Sequence, residues 1–523
     1  MRAHQARISR RRPSSPTGGF WPARQNEDAV DWDTLLTEAR ERFGIDSLRP
    51  GQKELVDAVL EGRDALGVLP TGAGKSLCFQ LPAPFIPGLT LIVSPLLALM
   101  QDQEEKLTEI ELEVTRLDSS ISSKEMEEAH RDIRRGNTEF VYVTPEQLEK
   151  PERVEALKRS GVSLFVVDEA HCISQWGHDF RPAYLSLGEV VQKLGRPPIL
   201  ALTATATPQV RQDILTQLGM REPLVVSTGV FRPNLFLEVA RTVNAQAKHE
   251  ALLELVRTQP GTGIVYVATV RVAQELYRWL EKQGVRVGLY HGKRRHKDRE
   301  QVQQRFMNDD YSLIVATKAF GMGIDKANIR YVVHYHFPDS LESYYQEAGR
   351  AGRDGDQARC VLLFRLEDRR IQGFFLGGKY PKREESQRVY ETLKRLGAEE
   401  AKPIAMGRLV QETALPQKRL KVLVAQLVAA GIVARTRGGL RMLRDFADAE
   451  ALDAYLSAYE ERHHSDRERL ETMMRYGSNA RCRWRFLADY FAEPLEEDCG
   501  HCDNCRGEHP PIHSSAEEKR IAM

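Results

Sequence analysis

Lys75 and Ser76 close the run Leu69-Pro70-Thr71-Gly72-Ala73-Gly74-Lys75-Ser76, and a carboxylate pair, Asp168-Glu169, stands well downstream. Together these residues have the makings of a nucleoside triphosphatase. Gly72 and Gly74, with Thr71 beside them, let the backbone bend and turn its N–H groups toward a phosphate chain. Lys75 reaches the outer phosphates as a point charge, and the Ser76 hydroxyl holds Mg²⁺. Asp168 holds the same ion from the opposite side, and Glu169 polarises the water that attacks the γ-phosphate. Leu69 stands where the usual phosphate-loop pattern has its first glycine. A Gly-Lys-Ser turn alone is compatible with a loop that binds nothing. The second, acidic motif decides for a nucleoside triphosphatase.

These groups need strands to carry them. Ala65 to Leu69 is an apolar run before the glycines, and Leu164-Phe165-Val166-Val167 delivers the carboxylates. Thr90 to Val93 and Phe140 to Val143 are further buried strands, ending in Ser94-Pro95 and Thr144-Pro145. Hydroxyls at the carboxyl edge of an open α/β sheet suit a nucleic-acid backbone, which marks Ser94 and Thr144. Upstream, Gln52 carries both a donor and an acceptor and suits an adenine edge. Downstream, Trp176, Phe180 and Tyr184 are interleaved with His178 and Arg181. That composition suits bases stacking on rings beside phosphate contacts. A packed aromatic cluster is the alternative.

A second run of strands and helices follows, with Thr317 at the end of Leu313 to Ala316 and the glycines Gly321 and Gly323 after it. Its last motif is Tyr345-Gln346-Glu347-Ala348-Gly349-Arg350-Ala351-Gly352-Arg353. Two guanidiniums three residues apart share a face and can neutralise charge growing on a γ-phosphate across a cleft.

Here the resemblance to a family becomes plain. The stretches above, with Thr203-Ala204-Thr205, resemble the superfamily 2 helicase core. The run from Asp168 to Pro182 is similar, residue for residue, to the motif and aromatic-rich loop of the RecQ family of DNA helicases. The resemblance implies two RecA-like parallel-sheet lobes and 3′-to-5′ unwinding in repair or recombination. It implies that Trp176, Phe180 and Arg181 contact single-stranded DNA, and that Arg49 and Gln52 belong to an adenine-reading segment. It makes Arg353 the arginine finger with Arg350 beside it, and adds Gln346 to the nucleotide set. Where the family carries an aromatic residue, this chain has Ile45.

The C-terminal third reads as a winged helix followed by a metal site. Glu385 to Leu396, Pro403 to Glu412 and Pro416 to Ala430 are expected helices. The third has an apolar stripe at Leu420, Leu423, Val424 and Leu427. The strands Ile432 to Arg437 and Leu440 to Arg444 are joined by Gly438-Gly439, a hairpin signal. Lys418, Arg435, Arg437 and Arg441 are the candidate duplex contacts. Cys482, Cys499, Cys502 and Cys505 have the C-x16-C-x2-C-x2-C spacing of a closed, structural Zn²⁺ tetrahedron. This spacing resembles the RecQ zinc module, but the family's usual order places that module before its winged helix.

The expected architecture is α/β. It has a disordered basic tail (1–30), two lobes (31–228 and 229–375), a winged-helix-like domain (384–446), a helical zinc module (449–508) and a tail (509–523). The net charge of the 523 residues is only +1. A polyanion must therefore meet local patches rather than a global field. No apolar run approaches the ~20 residues needed to span a bilayer. The expectation is thus a cytoplasmic protein, nucleoid-associated if bacterial. Its cofactors would be ATP, Mg²⁺ and Zn²⁺, and its partners single-stranded and duplex DNA, with single-strand-binding or repair proteins as further candidates. The rival readings are an RNA helicase and an ATP-switched DNA-binding or annealing protein.

Overall fold

The computed structural model describes residues 30–507, apart from 178, 322, 323, 325, 380–381, 400–402 and 437. The basic N-terminal stretch, the C-terminal tail, Arg437 and the Lys418 side chain lie outside the described residues.

The first lobe is a seven-stranded parallel sheet. Its strands are β1 (Ala65–Val68), β2 (Leu89–Val93), β3 (Val114–Leu117), β4 (Phe140–Val143), β5 (Val162–Val167), β6 (Ile199–Thr203) and β7 (Leu224–Ser227), in the order β3-β4-β2-β5-β6-β1-β7. Parallel strands need crossovers, and helices supply them, so both faces are covered. The pleat divides the core accordingly. Leu66 and Val68 face one apolar cluster, while Ala65 and Leu69 face the other.

The second lobe repeats the plan. β8 (Leu235–Arg241), β9 (Thr262–Tyr266), β10 (Val287–Tyr290), β11 (Leu313–Ala316), β12 (Ile329–His334) and β13 (Ala358–Phe364) form a parallel sheet in the order β10-β11-β9-β12-β13-β8. β8 is therefore an edge strand, with backbone groups its only sheet neighbour cannot pair. The cysteine-bearing segment covers that edge. Trp484 Nε1 donates to the Leu235 carbonyl at 3.2 Å, and Asp503 accepts from the Val239 N–H at 2.9 Å. Trp484, Leu487, Phe491 and Cys502 belong to the same apolar cluster as Leu235, Leu237 and Tyr344.

Helices Arg383–Glu399, Met406–Thr413 and Gln417–Ala429 and the hairpin of β14 (Val433–Thr436) and β15 (Gly439–Met442) enclose a separate small core around Leu393, Leu409, Leu423 and Leu440. This winged-helix-like unit is spliced between two helices that contact each other, Arg369–Lys379 and the 30-residue Ala449–Ser478.

Candidate active site and nucleic-acid interface

β1 and β5 flank β6, so the phosphate loop and the carboxylate pair emerge at the same sheet edge, two strands apart. Gly72 and Gly74 both have left-handed backbones, φ 84° and 73°. A side chain at Gly74 would also collide with Gln52 Nε2, 2.7 Å away. Gln52 is 2% exposed. Its Nε2 donates to the carbonyls of Ala73 (3.0 Å) and Gly74 (2.9 Å), and its Oε1 accepts from Arg49 N–H (2.8 Å). The residue expected to read adenine thus braces the phosphate loop here. Arg49 Nη1 donates to the Gly72 carbonyl.

Lys75 Nζ lies 3.4 Å from the Leu69 carbonyl. Thr71 Oγ1 is buried with no hydrogen-bond partner among the described residues. A cationic loop with an unsatisfied hydroxyl suits phosphate oxygens. Ser76 is half-buried just before the short helix Leu77–Gln80.

Asp168 is enclosed. Burial first, then the Glu169 charge, push its pKa up to about 6, while Lys75 pulls it down. Ser94 Oγ donates to Asp168 Oδ2 at 3.4 Å and Tyr184 OH to the Asp168 carbonyl at 3.2 Å. Glu169 holds a left-handed backbone at φ 48°, a strain that non-glycine residues keep where function needs it. Its carboxylate is 3.3 Å from His171 Nδ1, which is 3.0 Å from Thr203 Oγ1.

The raised Asp168 value carries a stability consequence. A folded pKa above the unfolded value of about 3.9 favours the neutral acid, so that stabilisation is complete below pH ~4 and is lost as pH rises through about 6. Asp168→Asn should therefore raise the unfolding free energy of the nucleotide-free protein by roughly 3 kcal/mol at pH about 7.5, with the gain gone below pH ~4. Denaturant melts at the two pH values check this. A destabilised variant at neutral pH would show that the ionised carboxylate is already well paired.

The second lobe closes on this loop. A Cβ on Gly72 would lie 3.1 Å from Arg353 Cγ, and one on Gly349 3.2 Å from Thr71 Cβ. Arg232, in Phe231-Arg232-Pro233-Asn234 between the lobes, was not singled out from sequence. It donates to the carbonyls of Gly349 (2.8 Å), Ala351 (3.0 Å) and Gly352 (2.6 Å) and reaches Thr71 O at 3.4 Å. Its only sequence signal is an arginine beside a proline where one sheet ends and the next begins. Arg350, expected beside the arginine finger, is 5% exposed and donates to the Gly321 carbonyl inside its own lobe. Gln346 is half-buried on helix Leu341–Ala348.

The expected DNA contacts divide. Trp176 and Phe180 are half-buried in the aromatic loop, and Arg181 Nη1 donates to the Pro95 carbonyl at 3.1 Å. A side chain at Gly177 would strike the His171 carbonyl at 2.3 Å, so the loop turns back on the carboxylate motif. Ser94 (1% exposed) and Thr144 (7%) are buried at their strand ends, and the Ser94 hydroxyl is directed to Asp168. Thr317, also expected as a nucleic-acid contact at its strand end, is half-buried. In the hairpin, Arg441 pairs with Ala434 and Arg435 with Leu440. Opposite residues of an antiparallel pair share a face, so Arg435 and Arg441, both exposed, point to different faces. Arg419, at the start of the third helix, donates to Glu385 at 2.9 Å and the Gly377 carbonyl at 2.7 Å.

The four thiols of Cys482, Cys499, Cys502 and Cys505 lie within 4.8 Å of one another. Sulfurs about 3.8 Å apart are what a tetrahedron with Zn–S near 2.3 Å demands, so the set fits the ion. Backbone N–H groups point at the sulfurs, from Arg485 (3.5 Å) and Cys499 (3.3 Å) to Cys482 and from Arg483 (3.4 Å) to Cys502. Such donors stabilise thiolate ligands. His501 Nδ1 is 2.7 Å from the Cys499 carbonyl and outside the thiol cluster.

Comparison with known proteins bears on this geometry. Residues 49–214 match the DEAD/DEAH box helicase family, 247–355 the helicase conserved C-terminal domain, and 440–506 the RecQ zinc-binding family. A probable ATP-dependent DNA helicase RecS of Bacillus subtilis is 43% identical over 337 residues, 63% of this chain and 68% of that protein. The ATP-dependent DNA helicase RecQ of the same organism is 43% identical over 336 residues, 64% of this chain and 56% of that protein. The chain thus spans little more than half the length of that RecQ relative. Among solved structures, Mycobacterium smegmatis helicase Lhr bound to ssDNA and AMP-PNP has a TM-score of 0.53 at 21% identity, covering 81% of this chain and 62% of that one. The helicase MrfA bound to DNA has a TM-score of 0.54 at 19% identity, covering 83% and 61%. At that identity the likeness is one of fold.

Proposed function

This chain belongs to the RecQ family of superfamily 2 DNA helicases, and from that membership we propose that it couples ATP hydrolysis to 3′-to-5′ movement along single-stranded DNA and to duplex unwinding. The observation that carries this reading is the seat of Arg353 against Gly72. A cleft roofed by one lobe and floored by the other makes nucleotide occupancy a signal that both lobes feel.

In this reading Lys75, Thr71, Gly72, Gly74 and Ser76 receive the phosphates, with Arg49, Gln52 and Gln346 completing the nucleotide site. Ser76 and Asp168 would hold Mg²⁺, which would supply charge neutralisation to the phosphates. Glu169 takes the proton of the attacking water, and Arg353 meets the charge that grows on the transferred group. Arg232 ties the Arg353 segment to the loop, so hydrolysis loosens both together and the lobes part. Alternating closure then moves the protein along a strand held by Trp176, Phe180 and Arg181. Cys482, Cys499, Cys502 and Cys505 would hold Zn²⁺, and with four protein ligands the ion would supply rigidity rather than reaction chemistry. A role in DNA repair or recombination accords with such an activity.

Strand displacement on a forked DNA duplex tests this. Release of the labelled strand should require ATP and a 3′ single-stranded tail. ATP-independent release, or annealing alone, would leave a DNA-binding or annealing protein. Stronger stimulation of hydrolysis by RNA than by single-stranded DNA would favour the RNA helicase. Trp176→Ala is expected to cut stimulation by single-stranded DNA about tenfold, with hydrolysis in the absence of DNA changed far less. Stimulation equal to the parent's would remove Trp176 from the DNA path.

A further inference from the structure

The aromatic loop is not held by its own lobe alone. Two arginines of the long helix Ala449–Ser478 also reach it. Arg462 and Arg469 are seven residues apart, about two turns, and so share a face. Arg462 Nη2 donates to Gln175 Oε1, and its guanidinium lies 5.0 Å from the centre of the Phe180 ring. Arg469 Nη2 donates to the Trp176 carbonyl.

Arg469 has further partners. Its side chain is 11% exposed, with Nη1 2.9 Å from Asp466 Oδ1 and Nε 3.8 Å from Glu342 Oε1. Glu342 is 4% exposed and lies in the first turn of helix Leu341–Ala348, where it also accepts from Tyr490 OH at 2.7 Å. That helix leads directly into Gly349 and the segment bearing Arg353, which lies against Gly72. One buried guanidinium therefore touches the backbone of the aromatic loop and the root of the helix that feeds the cleft.

We propose that Arg469, with Arg462 beside it, is the positioning residue that passes the state of the aromatic loop to Arg353. The proposal rests on the DNA-stimulated hydrolysis set out above. A buried guanidinium must keep its donors paired. When bases draw Trp176 and Phe180 out to stack, the Trp176 carbonyl leaves Arg469; Nη1 is already on Asp466 at 2.9 Å, and Glu342, 3.8 Å from Nε, is the carboxylate left to approach. Closing the 3.8 Å gap shifts the first turn of a short helix whose C-terminal end leads through Gly349 into the segment bearing Arg353. Arg462 sets the threshold, because a base stacking on the Phe180 face must compete with its guanidinium. A lysine at 469 offers a point charge rather than a fork and cannot hold a carbonyl and a carboxylate in fixed geometry.

The test uses the full zinc-loaded chain and an oligo-dT strand. Hydrolysis with and without DNA, DNA affinity by fluorescence anisotropy, and zinc content are measured for the parent, Arg469→Ala, Arg469→Lys and Arg462→Ala. Arg469→Ala should keep its DNA-free hydrolysis, its zinc and most of its DNA affinity, while stimulation falls about tenfold. Arg469→Lys should recover part of it, and Arg462→Ala should reach half-stimulation at lower DNA concentration. Parent-like stimulation in Arg469→Ala overturns the proposal, as does a loss that tracks DNA affinity, which would make Arg469 a plain DNA contact. If Arg469→Ala loses zinc and basal hydrolysis together, the other two variants decide, and parent-like behaviour in both overturns the proposal. A parent that single-stranded DNA does not stimulate overturns the proposed function itself, a result visible before any variant is made.

Discussion

Lys75→Ala is expected to lower ATP turnover about a thousandfold while leaving the zinc content unchanged. The reasoning is electrostatic. Phosphoryl transfer offers a protein little covalent work, so catalysis is positioning and charge stabilisation in a site that excludes water. Lys75 is half-buried, its Nζ 3.4 Å from the Leu69 carbonyl, and its charge already lowers the proton affinity of Asp168. Removing it takes one fixed cation from the phosphates and leaves Asp168 with less reason to ionise, so metal binding at the same site weakens too. Two losses in one substitution make this the largest catalytic effect expected. The zinc thiols belong to the other lobe's core and should not respond. Steady-state hydrolysis and metal analysis on the same preparation check both halves. Turnover close to the parent's would show that nucleotide is handled elsewhere.

Cys502→Ala, or removal of zinc by a chelator, is expected to unfold more than the metal site. Structural zinc contributes about 10–16 kcal/mol of apparent binding energy, comparable to the total stability of a domain. Cys502 is fully buried, and its neighbours Trp484 and Asp503 satisfy the exposed edge of β8. Glu493, in the same segment, pairs with Arg211 of the first lobe. Losing the tetrahedron therefore strips an edge strand of its hydrogen-bond partners and removes one of the ties between the lobes. The melting temperature should fall by roughly 10 °C or more, and Trp484 emission should shift to the red as the ring meets water. Tryptophan emission and melting unchanged by chelation, with zinc verified absent, would mean that packing alone holds the segment.

Much of this site was legible because its chemistry is local. Gly72, Gly74, Lys75 and Ser76 sit within five residues, and the left-handed backbones of both glycines are the reason glycine stands there. Asp168-Glu169 follows an apolar strand, and four cysteines at fixed spacing have few other uses. The hairpin was foreshadowed by Gly438-Gly439, and the third helix by its apolar stripe. Ser94 and Arg350 show what motif position leaves open: in the structure one donates to Asp168 and the other to Gly321 inside its own lobe. A residue type at the right spacing states what chemistry is available, not which way the side chain turns.

By itself the sequence determined the two parallel-sheet lobes, the nucleotide loop, the carboxylate pair, the thiol set and the family resemblance. Each depends on short-range spacing or on the period of apolar residues, and these survive without knowledge of the fold. Only the tertiary structure decided that Arg232 spans 161 residues to reach Thr71, that Trp484 spans 249 to cap Leu235, and that Arg469 spans 293 to hold Trp176. Those contacts carry no sequence period. They exist because buried donors and unpaired strand edges must be satisfied once the lobes pack, and packing brings distant residues to the only places where that can happen.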